Sequence, residues 1–204
     1  MGRPRRSLPA GTIAHVVNRS VDRRTIFHDR LDYRAFTDLL EAGREKAWVD
    51  VFGYCVMPNH WHLVVKALID NGVSRYMKWL TATHVLRYRT FHENLGNGHL
   101  YQGRFKAVVI TDDKQFLTAL RYVEANACKA GLVRWAEDWE WSSGFERAYR
   151  QRQIVGELPV PLPSDWCRLI NQDSPALPQS GDGKPLPGGE PEVGAEDRNY
   201  WKGV

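Results

Sequence analysis

"VDVFGYCVMPNHWHLVVKAL", residues 49–68, decides the architecture of this chain. It reads as two β-strands, "VDVFGYCVM" and "HWHLVVKAL", rich in β-branched and aromatic residues, with Pro58 and Asn59 at the turn between them. Side chains alternate faces along a strand, so Trp61, Leu63 and Val65 point one way and His60, His62 and Val64 the other. The apolar set is expected to pack on helices, which leaves the paired histidines on the opposite, open face of the sheet. A His-x-His pair alone is a weak sign of a metal site, because an exposed strand histidine needs no chemical role.

The flanking segments continue the pattern. Upstream, "TIAHVVNRSV" (residues 12–21) reads as a strand, and "HDRLDYRAFTDLLEAGREKAW" as a helix whose stripe is Phe36, Leu39, Leu40, Gly43 and Ala47. Downstream, "GVSRYMKWLTATHVLRYRTFHENL" is a long helix with Val73, Met77, Leu80, His84, Tyr88 and Phe91 on one side, ended by residues 94–98. "GRFKAVVIT" is a fourth strand. Asp112 or Asp113 caps a last helix, "KQFLTALRYVEANACKA", which stops at Gly131. The order β-α-β-β-α-β-α predicts an α+β, ferredoxin-like fold: a four-stranded antiparallel sheet with helices on one face and an extra C-terminal helix.

The chain is expected to divide into a basic arm over 1–11, which holds Arg3, Arg5 and Arg6, one folded domain over 12–149, and a tail over 150–204. The tail contains "LPVPLPSDW" and "SPALPQSGDGKPLPGGEPEVG", rich in Pro, Gly and Ser, and is expected to be largely disordered. Apolar residues make up 43% of the 204, enough for a real core, and the net charge is +4, compatible with a polyanionic partner without requiring one. Cys55, Cys128 and Cys167 are an odd count with no CxxC spacing, which argues against a disulfide framework or a cysteine zinc site and suits a reducing cytoplasm. No apolar run reaches membrane-spanning length, and "MGRPRRSLPAG" has no apolar signal core, so a cytoplasmic protein without membrane contact is expected.

The last predicted helix carries a second set of polar residues. Phe116, Leu120, Val123, Ala127 and Ala130 form its apolar stripe, while Tyr122, Asn126 and Lys129 lie together on a neighbouring face. Separately, Tyr122 reads as a half-buried edge residue and Asn126 as an exposed polar one.

Four segments together carry a resemblance. "HVVNRSVDRRTIF" followed by Asp32 and Phe36, "YCVMPNHWHLVV", "HLYQGRFKAVVI" and "LRYVEANACKAGLV" resemble the single-tyrosine, His-hydrophobic-His transposases, and more closely the REP-associated tyrosine transposases of bacteria. The similarity spans about residues 12–145 and excludes the tail. It implies that Tyr122 is the nucleophile, that His60, His62 and Asn126 bind one divalent metal ion, and that DNA is cut through a 5′-phosphotyrosine link with a free 3′-hydroxyl. One departure stands out. After the tyrosine the family has Asn-Pro-Val-Arg/Lys-Ala-Gly, whereas this chain has Asn126, Ala127, Cys128, Lys129, Ala130 and Gly131, which is expected to alter the helix end and leave nucleophile and ligand in place.

The implied chemistry is physically coherent. A phenol of pKa about 10 is a poor nucleophile at neutral pH without help. A cation on the scissile phosphate supplies Lewis acidity and orientation. Two imidazoles and an amide oxygen suit Mg²⁺ or Mn²⁺ in function, with Zn²⁺, Ni²⁺ or Co²⁺ also able to bind. The expected partner is single-stranded or hairpin DNA, REP-like palindromes included, bound by a monomer or homodimer. Arg19, Arg104, Lys106 and Lys129 are candidates for phosphate contacts and Tyr101, with Phe105, for base stacking; Glu124 is a candidate helper beside Tyr122. His84 is expected to be a core histidine; Trp135, Trp139 and Trp141 are expected to fold back on the core, with Trp166 and Trp201 as partner anchors. His15, His28, His92 and His99 acquire no role from sequence. The alternatives are a non-catalytic single-stranded nucleic-acid-binding module on the same sheet, and a relaxase-like nickase, a class usually found in larger chains.

Overall fold

The computed structural model describes residues 8–46, 48–92, 98–151 and 153–172. Its elements are β1 (Ile13–Arg19), α1 (Arg30–Arg44), β2 (Val49–Met57), β3 (His60–Ala67), α2 (Gly72–Phe91), β4 (Lys106–Ile110), α3 (Asp113–Glu124), α4 (Asn126–Lys129), α5 (Ser143–Tyr149) and α6 (Trp166–Asn171). The four strands form one sheet in the order β2-β3-β1-β4, every neighbouring pair antiparallel. This is the α+β architecture expected from the strand and helix order.

Local chemistry accounts for the ends of the helices. The Asp29 carboxylate accepts from the Leu31 and Asp32 amides and starts α1. Asp112, rather than Asp113, caps α3 by accepting from the Gln115 amide. The last predicted helix is broken in two at Ala125, which separates α3 from α4. Gly131, at φ +70°, then ends the run in the left-handed region, its amide and that of Leu132 returning to the Cys128 and Ala127 carbonyls.

α1 and α2 cover one face of the sheet, where Trp61, Leu63 and Val65 meet Phe36, Leu39, Leu40, Met77 and Leu80. Each such aliphatic side chain contributes about 1.5–3 kcal/mol on burial. Trp61 is fully buried, and its indole N–H donates to the Tyr101 hydroxyl at 3.0 Å. The stripe residue Ala47, the helix stop at 94–97, the arm's arginines and Trp201 lie outside the described residues.

The opposite face is not open. Phe52, Cys55, Met57 and Val64 form a second core there with Phe116, Leu120 and Val123 of α3, Ala127 and Cys128 of α4, and Trp166 and Ile170 of α6. The physical reason lies in β2, which is apolar on both faces and so needs cover on both. A register shift between Val51 and Gly53 interrupts the alternation on β2, so that Val49 and Val51, then Tyr54 and Val56, face the first core. Gly53 is also what brings α3 close, since a methyl group at that position would collide with the Leu120 side chain.

Within the tail expected to be largely disordered, part of the described stretch 153–172 packs on the domain. Trp166 and Ile170 of α6 are buried, and Ile154 joins the first core. The prolines before α6 hide no helical stripe, but a six-residue helix docks through its two buried residues. Trp166 is therefore an internal anchor, not an exposed one. Trp141 folds onto the core as expected, Trp139 packs at its edge, and Trp135 stays 44% exposed.

Candidate active site

The site grows from pairing on the second sheet face. β3 carries His60 and His62, and β1 runs beside it with Arg19 opposite His60 and Val17 opposite His62. Further along the same face, His15 sits opposite Val64. On the outer side of β1, Lys106 of β4 pairs with Val17. The two histidine rings lie 5.0 Å apart, nearly perpendicular.

α3 brings the phenol to this row. Its buried residues Phe116, Leu120 and Val123 seat it on the sheet, and Tyr122 emerges at its edge, 44% exposed. The Tyr122 ring stands edge-on to His62 at 5.5 Å and to His15 at 5.7 Å between ring centroids. One turn later the Asn126 side-chain amide donates to the Tyr122 carbonyl at 3.1 Å, and Lys129 places its ammonium 5.9 Å from the centre of the Tyr122 ring. No hydrogen bond joins Asn126 to either histidine of β3 among the described residues.

The histidines are held neutral. Burial lowers the His62 pKa to about 2, helped by repulsion from any proton taken up by His60 or His15 and by the Arg19 guanidinium. Burial and then Arg19 lower that of His60 to about 4, and burial also lowers that of His15. Neutral imidazoles are what a divalent cation requires. His62 Nε2 is buried and has no hydrogen-bond partner among the described residues. An orphaned buried nitrogen is rare and fits a ligand position. His60 Nδ1 is 2.7 Å from Asn59 Oδ1, a contact that orients the His60 ring. Among the described residues no group of three His, Cys, Asp or Glu side chains is placed to hold a metal ion.

The other expected site residues divide by location. Arg19 and Lys106 flank the histidine row on its own face. Arg104 is exposed but lines a hollow of ≈ 900 Å³ between α2 and the 98–105 segment, to which none of His60, His62 and Tyr122 contributes. Tyr101 is not a stacking surface: it is 7% exposed, and its hydroxyl bridges Trp61 Nε1 and His84 Nδ1. Phe105 packs against the first core, and His84 is the satisfied core histidine expected. Glu124 does not assist from beside Tyr122, because it points to the other side of α3. There it is fully buried, receiving bonds from Ser143, Arg147 and Trp166.

Sequence reasoning passed over His15. Its Nε2 lies 2.9 Å from His62 Nδ1, with the rings stacked at 5.2 Å. The only sequence signal was its place on the same face of a strand as Val17 and Arg19. Beside it, a groove of ≈ 730 Å³ runs between β4 and α3, lined by His15, Val108, Ile110, Gln115, Thr118 and Tyr122.

The family model described as "Transposase IS200 like" matches residues 10–126. A candidate REP-associated tyrosine transposase of Haemophilus influenzae is 30% identical over 120 residues, covering 55% of this chain and 63% of that protein's length. A solved structure of a REP-associated tyrosine transposase bound to a REP hairpin superposes with a TM-score of 0.55 at 21% identity, covering 80% of this chain and 96% of that one. A protein of Deinococcus radiodurans, described as a candidate transposase, gives a TM-score of 0.43 at 16% identity over 61% of this chain and 96% of its own.

Proposed function

The chain belongs to the IS200-like transposase family, and from that premise we propose that it nicks and rejoins single-stranded or hairpin DNA through Tyr122. The observation that carries this reading is the approach of the half-exposed Tyr122 ring to the buried His62, across the gap between α3 and β3.

In the proposed reaction the Tyr122 hydroxyl oxygen forms a bond to the scissile phosphorus while the bond from phosphorus to the 3′-oxygen breaks. The phenol loses its proton and the leaving 3′-oxygen gains one. The product is a 5′-phosphotyrosine and a free 3′-hydroxyl. The link remains a phosphodiester, so attack by a 3′-hydroxyl reverses it without ATP. His60, His62 and the Asn126 amide oxygen would hold Mg²⁺ or Mn²⁺, which when bound supplies Lewis acidity toward the phosphate oxygens. Burial keeps both imidazoles unprotonated for that role. Arg19 and Lys106, on the same face, would engage phosphates on either side, and Lys129 would lie near the phosphate that Tyr122 attacks.

Hairpin DNA as substrate is supported by the hairpin bound to the structurally similar transposase. A binding-only module would account for the basic balance but leaves the orphaned His62 Nε2 without a purpose.

The test is incubation with end-labelled hairpin DNA and Mn²⁺, resolved under denaturing conditions. Wild type should give a protein–DNA adduct and a shortened strand; Tyr122→Phe should give neither. Identical products from the two would refute the nucleophile assignment.

A further inference from the structure

We propose that His15 is a positioning residue for His62: it accepts a hydrogen bond from His62 Nδ1–H and so holds the ring in the tautomer that leaves Nε2 unprotonated. This role rests on the reading of His60 and His62 as cation ligands for its purpose, and on the metal-free geometry for its existence.

His15 Nε2 and His62 Nδ1 are 2.9 Å apart, so a single hydrogen is shared between them. If His15 donated, a neutral His62 would carry its own hydrogen on Nε2. That N–H would then be buried with no acceptor, since Nε2 has no partner among the described residues. Orphaned buried N–H groups are rarer than orphaned lone pairs. The arrangement that avoids one has His62 donating from Nδ1 and keeping a bare lone pair on Nε2, with His15 accepting at Nε2 and carrying its hydrogen on Nδ1.

His60 provides an independent parallel. Its Nδ1 faces Asn59 Oδ1 at 2.7 Å. The orientation of that amide is fixed, because Asn59 Nδ2 donates to the Arg23 carbonyl at 2.8 Å. An amide oxygen can only accept, so His60 also donates from Nδ1, leaving Nε2 bare. Both rings of the pair are thus set to the same tautomer, one by a neighbouring amide and the other by a neighbouring histidine on another strand. A metal-ligating histidine commonly donates its second nitrogen in this way. His15 also stacks on His62 and meets the edge of the Tyr122 ring, so one residue fixes the ligand and borders the nucleophile.

The experiment combines nitrogen-resolved NMR of the histidine rings in the metal-free protein with Mn²⁺ titration calorimetry. Wild type should show His62 protonated at Nδ1. His15→Ala should lose that preference and weaken Mn²⁺ binding by about 10–100-fold. His15→Gln, which retains a side-chain acceptor, should recover most of the affinity, a rescue that a merely space-filling role would not produce. A His62 ring protonated at Nε2 in the wild type overturns the proposal, as does unchanged tautomer and affinity in His15→Ala. If wild type binds Mn²⁺ and His15→Ala binds it equally, positioning fails while the cation reading stands. If the wild type has the Nδ1–H tautomer and takes up no Mn²⁺, the cation reading fails and the tautomer lock stands. Should His15→Ala not fold, the wild-type tautomer and the glutamine variant decide.

Discussion

Trp166 donates its indole N–H to Oε2 of Glu124 at 2.7 Å, joining α6 to the helix that carries Tyr122 two residues earlier. The other carboxylate oxygen receives the Ser143 hydroxyl at 2.6 Å and Arg147 Nε at 2.9 Å. Glu124 is thus the buried point at which α3, α5 and α6 meet, and the pose of Tyr122 depends on it.

Glu124→Ala should destabilise the fold by about 3–5 kcal/mol, because it strands the Arg147 guanidinium without its carboxylate. Glu124→Gln keeps shape and one acceptor and should cost less. Urea unfolding measures both. A midpoint for Glu124→Ala equal to that of wild type contradicts the anchoring role.

Tyr122→Phe should leave stability within about 0.5 kcal/mol of wild type, since the residue is 44% exposed and its hydroxyl makes no hydrogen bond within the described structure. The same variant should abolish the covalent DNA adduct. Thermal melting alongside the gel assay separates loss of chemistry from loss of fold.

Gly53→Ala should cost about 1–3 kcal/mol by forcing a methyl group into the Leu120 side chain. Pairing it with Leu120→Ala should recover part of that cost, because the cavity accepts the methyl. Independent, additive effects in a double-mutant cycle would show that the two do not touch.

His84 makes stability depend on pH. It is buried against Tyr101, and burial, with the charges of His92 and Arg87, lowers its pKa to about 3. Above pH 6.5 the ring is neutral in both folded and unfolded chains, and its contribution is fully present. As pH falls below 6.5, the unfolded chain takes up a proton that the folded chain refuses, so stability declines, by up to about 1.4 kcal/mol per pH unit for this group. Urea midpoints between pH 6.5 and 5 should therefore drop with acidification, and His84→Gln should flatten the slope by about one proton. Equal slopes in the two proteins contradict the assignment.

Much of the fold was legible because local periodicity is a property of the backbone. The alternation in residues 60–65 places His60 and His62 on one face of a strand whatever the strand pairs with, and the structure keeps that division. The helical stripe of Phe116, Leu120 and Val123 likewise turns Tyr122 toward the helix edge. The double apolarity of β2 was also present in the residues and announces a covered second face, although alternation on β3 alone suggests an open one.

What the sequence by itself determined is therefore the set of elements, the shared face of the histidine pair and the one-turn spacing of Tyr122 and Asn126, since each follows from the geometry of a single strand or helix. Only the tertiary structure decided which partners each side chain meets. His15 reaches His62 through antiparallel pairing of strands 47 residues apart. Tyr101 turns inward because two buried nitrogens require its hydroxyl, and Glu124 is enclosed because three donors from distant segments converge on it. Register and docking minimise the burial energy of the whole chain at once, and no local window carries that sum.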